Sequence, residues 1–250
     1  LFVYNRPTHT KKTVAALLKN KFASDSDLFI YSDAPKKSEA EKDVSEVRQY
    51  ISQIQGFKSV KVIEREKNLG LATSIIQGVT EVVNIYGRVI VLEDDLVTAP
   101  SFLSYMNTAL KLYQQDDAVI SVHGYVYPAN INLVQNTFFL KGADCWGWAT
   151  WKRGWDLFET DGSKLLQQLH AQELTTEFDF DNSYPYTQML IDQINKKNDS
   201  WAIRWYASAF LENKYTLYPT KTLVKNIGLD MSGTHSGIDA TLNDSSLSAE

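Results

Sequence analysis

Three consecutive acids, Glu93, Asp94 and Asp95, follow directly on the apolar run Val89-Ile90-Val91-Leu92. A run of β-branched and apolar residues of this length is the pattern of a strand buried on both faces. Adjacent carboxylates at its end repel one another unless something positive sits among them. In open α/β sheets the carboxyl ends of the strands are where ligands bind. Hard divalent cations such as Mg²⁺ or Mn²⁺ take oxygen ligands and commonly complete their coordination with substrate phosphates. These three residues therefore point to metal–phosphate chemistry rather than to a solvated acidic turn.

Each of the other polar clusters of interest also follows a strand-like run. Asn5-Arg6 comes after residues 1–4, Asp33 after Leu28–Tyr31, and Asn68-Leu69-Gly70 after Val60–Ile63. Parallel strands would bring all four clusters to one edge of the sheet. There Arg6 would supply a planar fork for a phosphate or a base carbonyl, Asp33 an acceptor for a base N–H, and the acids a metal. A metal-bound nucleoside diphosphate fits that set.

The intervening segments read as helices. Thr8 or Thr10 is the expected cap of a helix with Val14, Leu17 and Leu18 on its inner face. Residues 36–50 form an exposed amphipathic helix, and Leu71, Ile75, Val79 and Val82 mark another at helical spacing. Strand alternating with helix predicts an α/β fold, a mostly parallel sheet flanked by helices, with a further strand at 119–122. The whole of 1–250 reads as one domain. Residues 1–125 would be its nucleotide-binding half, 126–225 an acceptor-binding half, and 226–250 a flexible loop or tail.

The second half is dense in aromatics, with Trp146, Trp148, Trp151, Trp155 and Phe158 inside twenty residues. Flat rings stack on sugar C–H faces, and a glycine lets a ligand approach the backbone. Trp146 and Gly147 are expected to line a sugar pocket, with Trp151 and Trp155 in the core. Asn198-Asp199-Ser200 opens a helix running through Leu211, with Asp199 or Ser200 as its cap. In the tail, Ser232 to Gly237 offers hydroxyls, backbone N–H groups and the His235 imidazole, a set able to wrap a diphosphate. His9, His123 and His170 show no metal-ligand spacing and read as structural or surface residues.

Composition sets outer limits. The 250 residues are 44% hydrophobic and 22% charged, an ordinary globular balance. A net charge of −5 argues against a basic nucleic-acid-binding surface. Cys145 is the single cysteine, which rules out an intrachain disulfide and a thiolate zinc site and suits a reducing compartment. No apolar run is long enough to span a membrane. The chain opens on Leu1, without a methionine and already in a strand-like run, so residues upstream are expected.

The ordered set Asn5-Arg6-Pro7, Ser32-Asp33, Asn68-Leu69-Gly70 and Glu93-Asp94-Asp95-Leu96 resembles the GT-A fold glycosyltransferases. It is most similar to the inverting branch that includes N-acetylglucosaminyltransferase I and its bacterial relatives. The first half carries the resemblance well, the second half loosely. It implies a Glu-Asp-Asp variant of the DXD motif that binds Mn²⁺ (or Mg²⁺) and a sugar nucleotide, with UDP-sugars favoured. Asp95 would be the metal ligand, Asp94 and Glu93 would face the ribose and sugar, and Arg6 and Asp33 the nucleobase. Asn68, Leu69 and Gly70 would line the nucleotide pocket, and a C-terminal loop with His235 would close on the diphosphate. The catalytic base of such an enzyme is an Asp or Glu at the start of a helix in an aromatic setting. Asp199 is the best match, with Asp192 and Asp144 as rivals. The implied acceptor is a carbohydrate or lipid-linked glycan in bacterial surface-polysaccharide synthesis, and the implied location is cytoplasmic or peripheral at the inner membrane. A sugar-1-phosphate nucleotidyltransferase is the rival reaction, but Asn5-Arg6-Pro7-Thr8 lacks the glycine-rich phosphate loop it would need. A non-catalytic glycan- or nucleotide-binding module is the other alternative.

Overall fold

The computed structural model describes residues 1–128, 134–230 and 247. Its first three strands, β1 (Phe2–Val3), β2 (Asp27–Ser32) and β3 (Ser59–Glu64), pair in parallel. Phe2 also bridges in parallel to Glu93, and its N–H donates to Leu92 O at 3.0 Å, which sets β1 beside the end of β4 (Arg88–Val91). The sheet continues through β8 (Trp148–Trp151), β6 (Val119–His123), β9 (Tyr215–Pro219) and β7 (Thr137–Lys141). β8 lies antiparallel between β4 and β6, and β7 antiparallel to β9, so the second half is mixed where the first is parallel. Two short strands stand apart: β5 (Leu96–Thr98) pairs antiparallel with β10 (Val224–Asn226) immediately after the acids.

Strand residues alternate between two cores, as the period of two requires. Val3, Ile30, Val122 and Ala149 face one layer, with α1 (Pro7–Leu17), α2 (Glu41–Ile51) and α4 (Phe102–Leu112). Phe2, Tyr31, Val91 and Trp148 face the other, with α3 (Leu71–Tyr86), the short α5 (Lys152–Trp155) and α9 (Trp201–Leu211). A smaller layer of α6 (Gly162–Ala171), α7 (Thr175–Phe178) and α8 (Tyr186–Ile194) packs on the outer side of α9. Trp155 is in the core as expected, stacked on Phe158 at 4.6 Å and 5.3 Å from Trp205, and Trp151 is 4% exposed.

Several local expectations need correction. α1 starts with Pro7 in its first turn and Arg6 at the cap position, with no side-chain cap. The fixed φ of proline suits a first helical position whose N–H has no partner anyway, so the helix starts before either threonine. Thr10 instead donates to Arg6 O at 3.0 Å. Leu18 and Leu71 fall at helix ends and are 38% and 46% exposed rather than inward. The expected charged helix at 36–50 is α2, preceded by a 3-10 turn at Ser38–Ala40. At the head of α9 the cap is Ser200, whose hydroxyl accepts from Ile203 N at 3.2 Å, and Asp199 is left outside the helix.

Candidate active site

The parallel half of the sheet brings the four polar clusters together at its carboxyl edge. Arg6, one residue past the β1 turn, donates from Nη2 to Asp95 Oδ2 at 2.8 Å and to Asp94 Oδ1. Asp94 also accepts from Tyr4 N at 3.3 Å, and its carbonyl accepts from the Thr13 hydroxyl at 2.8 Å. Little of these side chains meets water: 18% for Arg6, 5% for Asp94 and 14% for Asp95. Asn5, its neighbour, makes no side-chain hydrogen bond among the described residues and remains available to a ligand.

Burial of so much negative charge shows in the proton affinities. Glu93 is pushed up to about 8 by burial, with Asp95 and Asp94 adding to the shift and Arg6 opposing it. Asp94 is raised to about 6 by burial, with Arg6 pulling back. Burial would lower the Arg6 guanidinium, but Asp94 and Asp95 outweigh it and the net shift is upward. A carboxyl whose folded pKa lies above its unfolded value stabilises most fully below the unfolded value. That contribution is lost as pH rises through the folded value. Metal-free protein is therefore expected to lose stability from Glu93 between about pH 4.5 and 8. The Glu93→Gln chain should lose less, by on the order of 1–2 kcal/mol, in urea melts at pH 6 and pH 8.5 with EDTA present. Equal losses in the two chains would refute the shift.

Asp33 serves a different partner from the expected one. Oδ1 accepts from Ala34 N and Leu69 N, both at 2.9 Å, and Oδ2 from Leu69 N at 3.1 Å and Gly70 N at 2.9 Å. Asn68 returns the tie by donating from Nδ2 to Ala34 O at 2.7 Å. The carboxylate is buried and its acceptor capacity goes to this latch, which fixes the Asn68-Leu69-Gly70 turn at the head of α3. Asp33 thus fixes that turn at the carboxyl edge of the sheet.

Above the acids lies backbone from the far end of the chain. Pairing of β10 with β5 carries the chain to Ile227, whose N–H donates to Asp95 O at 2.8 Å. Gly228 follows, so close that a Cβ there would overlap the Asp95 carboxylate unless that side chain moved. His9 Nε2 bonds Ile227 O at 3.2 Å and Asp230 Oδ2 at 3.1 Å, tying this segment to α1. The stretch expected to be a free tail from residue 226 is thus docked at the site as far as Asp230. His235 and the rest of Ser232–Gly237 lie outside the described residues.

Asp199 is exposed, and its Oδ2 lies 3.7 Å from where a Cβ would stand on Gly70, across the head of α3. Its rivals are occupied. Asp144 accepts from Cys145 N at 2.7 Å and from the Tyr218 hydroxyl at 3.4 Å, and Asp192 pairs with Lys197 at 3.1 Å on the surface. Trp146 is half-buried, its N–H donating to His123 Nε2 at 3.0 Å. That bond puts the neutral imidazole's proton on Nδ1, and burial lowers the His123 pKa, so the ring stays uncharged and accepting. Gly147 has φ +66, and a Cβ there would meet Val224 Cγ2 at 2.6 Å. Its small size lets Val224 pack against the backbone here.

Carboxylate oxygens are the right donors for a hard cation. Among the described residues no group of three or more His, Cys, Asp or Glu could hold a metal unaided. Such ions commonly use one or two carboxylates plus substrate phosphates, so Asp95 with its neighbours fits one that arrives with a diphosphate. Sequence reasoning missed the docking of 227–230 and the Asp33 latch. Gly228 was the only local signal for the first.

The sequence matches the model for glycosyl transferase family 2 over residues 1–161. The chain belongs to glycosyl transferase family 2. Among solved structures it is similar to the mannosyltransferase PcManGT from Pyrobaculum calidifontis, solved with GDP-Man and Mn²⁺. That likeness has 14% identity and a TM-score of 0.37, and covers 51% of this chain and 34% of that one. The chain therefore spans about a third of that protein's length. UDP-glucose pyrophosphorylase is similar at 9% identity and TM-score 0.37 in its apo form, over 87% of this chain and 89% of that one. Its complex with UDP-glucose gives 11% identity and TM-score 0.36, over 87% and 88%. No curated protein matches significantly. As a family 2 member, the chain has an α/β core of glycosyltransferase type, and no helix among its described residues is long and apolar enough to cross a membrane.

Proposed function

We propose that this family 2 chain is a metal-dependent, inverting glycosyltransferase that moves a sugar from a nucleoside diphosphate-sugar, UDP-linked by preference, to an acceptor hydroxyl on a glycan. Surface-polysaccharide assembly is the biological setting this reading suggests. The observation that carries it is the Glu93-Asp94-Asp95 tip at the end of β4, ringed by Arg6, the Asp33-latched turn and Gly228.

In this mechanism Asn5 and the Asn68–Gly70 turn line the nucleotide, Asp95 is the metal ligand, and Asp94 and Glu93 face the ribose and sugar. Arg6 balances the acids and stands beside the leaving diphosphate. When bound, Mn²⁺ or Mg²⁺ neutralises charge on that diphosphate. Asp199 takes the proton from the acceptor hydroxyl as its oxygen attacks the anomeric carbon, the bond from that carbon to the phosphate oxygen breaks, and the nucleoside diphosphate departs.

The test is thermal unfolding against UDP, GDP, ADP, CDP and their sugar conjugates, with and without Mn²⁺, beside an Asp95→Ala control. A ligand at about 100 times its Kd adds about 2.7 kcal/mol of stability. One base should give a metal-dependent rise in Tm that Asp95→Ala loses. Turnover should then release nucleoside diphosphate, whereas a nucleotidyltransferase exchanges pyrophosphate. Absence of any shift would overturn the reading.

A further inference from the structure

Beside the acids, a surface outside the proposed nucleotide site carries two groups of aromatic rings. The first begins at Trp146, whose ring centre is 4.8 Å from Tyr125 and 6.4 Å from Tyr127. A second group of rings centres on Tyr186, whose ring lies 4.6 Å from Tyr184 and 5.9 Å from Phe180. Asp144 sits under these rings, its Oδ2 accepting from Tyr218 at 3.4 Å and 3.7 Å from His123 Nδ1. Val91 pairs with Trp148 in the antiparallel β4–β8 ladder, so Cys145 and Trp146 run alongside the Glu93 end of β4. The surface therefore adjoins the reacting end of the proposed donor site.

The outer lip is held in an unfavourable backbone. Phe180, Asp181 and Asn182 have φ of 49°, 53° and 65°, three successive left-handed residues without a glycine. Such outliers persist only where surrounding structure enforces them, and they cluster at ligand sites. Here Asp179 enforces them: its carbonyl accepts from Tyr184 N at 3.1 Å and its Oδ1 from Thr187 N at 2.6 Å. The result displays Phe180 and Tyr184 at 43% and 48% exposure, with Phe180 stacked at 6.2 Å on the buried Tyr206.

The chemistry of the surface selects its ligand. Among the described residues that form it none is Lys or Arg, and the neighbouring Lys141 is paired with Glu177 at 2.9 Å and lies over Phe210. Asp144 and the exposed Asp181 make it hostile to a phosphate. Tyr127, 41% exposed, presents a phenol that is neutral at ordinary pH. Flat apolar faces with neutral hydroxyls and one carboxylate are complementary to a ring with C–H faces and hydroxyl edges.

Building on the glycosyltransferase reading, we infer that this surface is the acceptor subsite and that the acceptor is a neutral saccharide. Its rings lie on Trp146, Tyr127 and Tyr186 and reach the lip at Phe180 and Tyr184, with Asp144 accepting from a sugar hydroxyl.

Saturation-transfer NMR on the whole chain tests this with cellobiose, lactose, maltose and chitobiose, and with farnesyl phosphate as the anionic-lipid probe. At least one disaccharide should receive saturation on its ring protons. Its Kd should rise at least fivefold in the Phe180→Ala, Tyr184→Ala double variant, with the nucleotide–Mn²⁺ thermal shift unchanged. Both residues are exposed, and an unchanged Tm would show that the variant keeps the fold. No binding by any disaccharide, equal binding in the variant, or tighter binding of farnesyl phosphate would each overturn the assignment. A nucleotide shift that survives such a result leaves the enzyme reading standing, whereas disaccharide binding without a nucleotide shift would overturn that reading alone.

Discussion

Arg6→Met should cost the metal-free protein about 3 kcal/mol at pH 8, and Mn²⁺ should return much of that loss. Breaking a buried ion pair by removing one partner costs about 3–5 kcal/mol, because the remaining charge is left uncompensated. The lower end applies here, since 18% of Arg6 still meets water. Arg6 is the counter-charge in direct contact with Asp94 and Asp95, and methionine keeps much of its apolar stem while removing the fork. The cost should fade toward pH 5, because Asp94 and Glu93, with pKa values of about 6 and 8, then take up protons in place of the guanidinium. Removing Arg6 frees Asp94 and Asp95 for a divalent ion that the described residues of the unmodified chain do not hold unaided, so Mn²⁺ should raise the Tm of the variant more than that of the unmodified chain. Urea melts at pH 5 and pH 8, each with EDTA and with Mn²⁺, measure all four quantities. Equal stability of the two chains at pH 8 in EDTA would show that the acids do not depend on Arg6.

The placement of these groups was legible in the sequence; their partners were not. Each apolar run followed by a polar cluster puts that cluster at the carboxyl end of a strand, and parallel pairing of β1, β2 and β3 needs nothing more to bring Arg6, Asp33 and Asn68 to one edge. Which oxygen meets which donor depends on side-chain directions between residues 36 to 89 positions apart, and no local period encodes that. Asp33 shows the consequence. Its type and place suit a base contact, yet the backbone N–H groups of Leu69 and Gly70 reach it first. The strand β8 was hidden for another reason: Trp148-Ala149-Thr150-Trp151 is buried at every position, so alternation of polar and apolar residues gives no signal. The docking of 227–230 depends on β10 pairing with a strand some 125 residues earlier, a contact that short windows cannot see.

Asp199→Asn should lower kcat by roughly 10²–10⁴-fold, the usual contribution of a positioned general base, while leaving fold and donor binding intact. Asparagine keeps the shape of the side chain and removes its capacity to take a proton at neutral pH. Ser200, not Asp199, caps α9, so the substitution leaves the helix start in place. Asp199 does help offset the burial that lowers the Arg204 pKa, but Arg204 also donates to Ser200 O at 3.3 Å and Thr160 O at 3.1 Å, which hold it in place. The stability cost should therefore stay below about 1 kcal/mol, as for other exposed charges. The KM for the donor and the Mn²⁺-dependent thermal shift should be unchanged, because the proposed metal and diphosphate contacts come from Asp95 and Arg6 rather than from Asp199. Asp144→Asn gives the contrasting pattern: Asp144 is bound to Cys145 N and Tyr218, so its loss should raise the acceptor KM more than it lowers kcat. Steady-state kinetics on the two variants separate the roles. An Asp199→Asn enzyme that turns over normally beside an inactive Asp144→Asn would move the base to Asp144, where the Tyr218 hydroxyl and the His123 Nδ1 proton stand within 4 Å of its Oδ2.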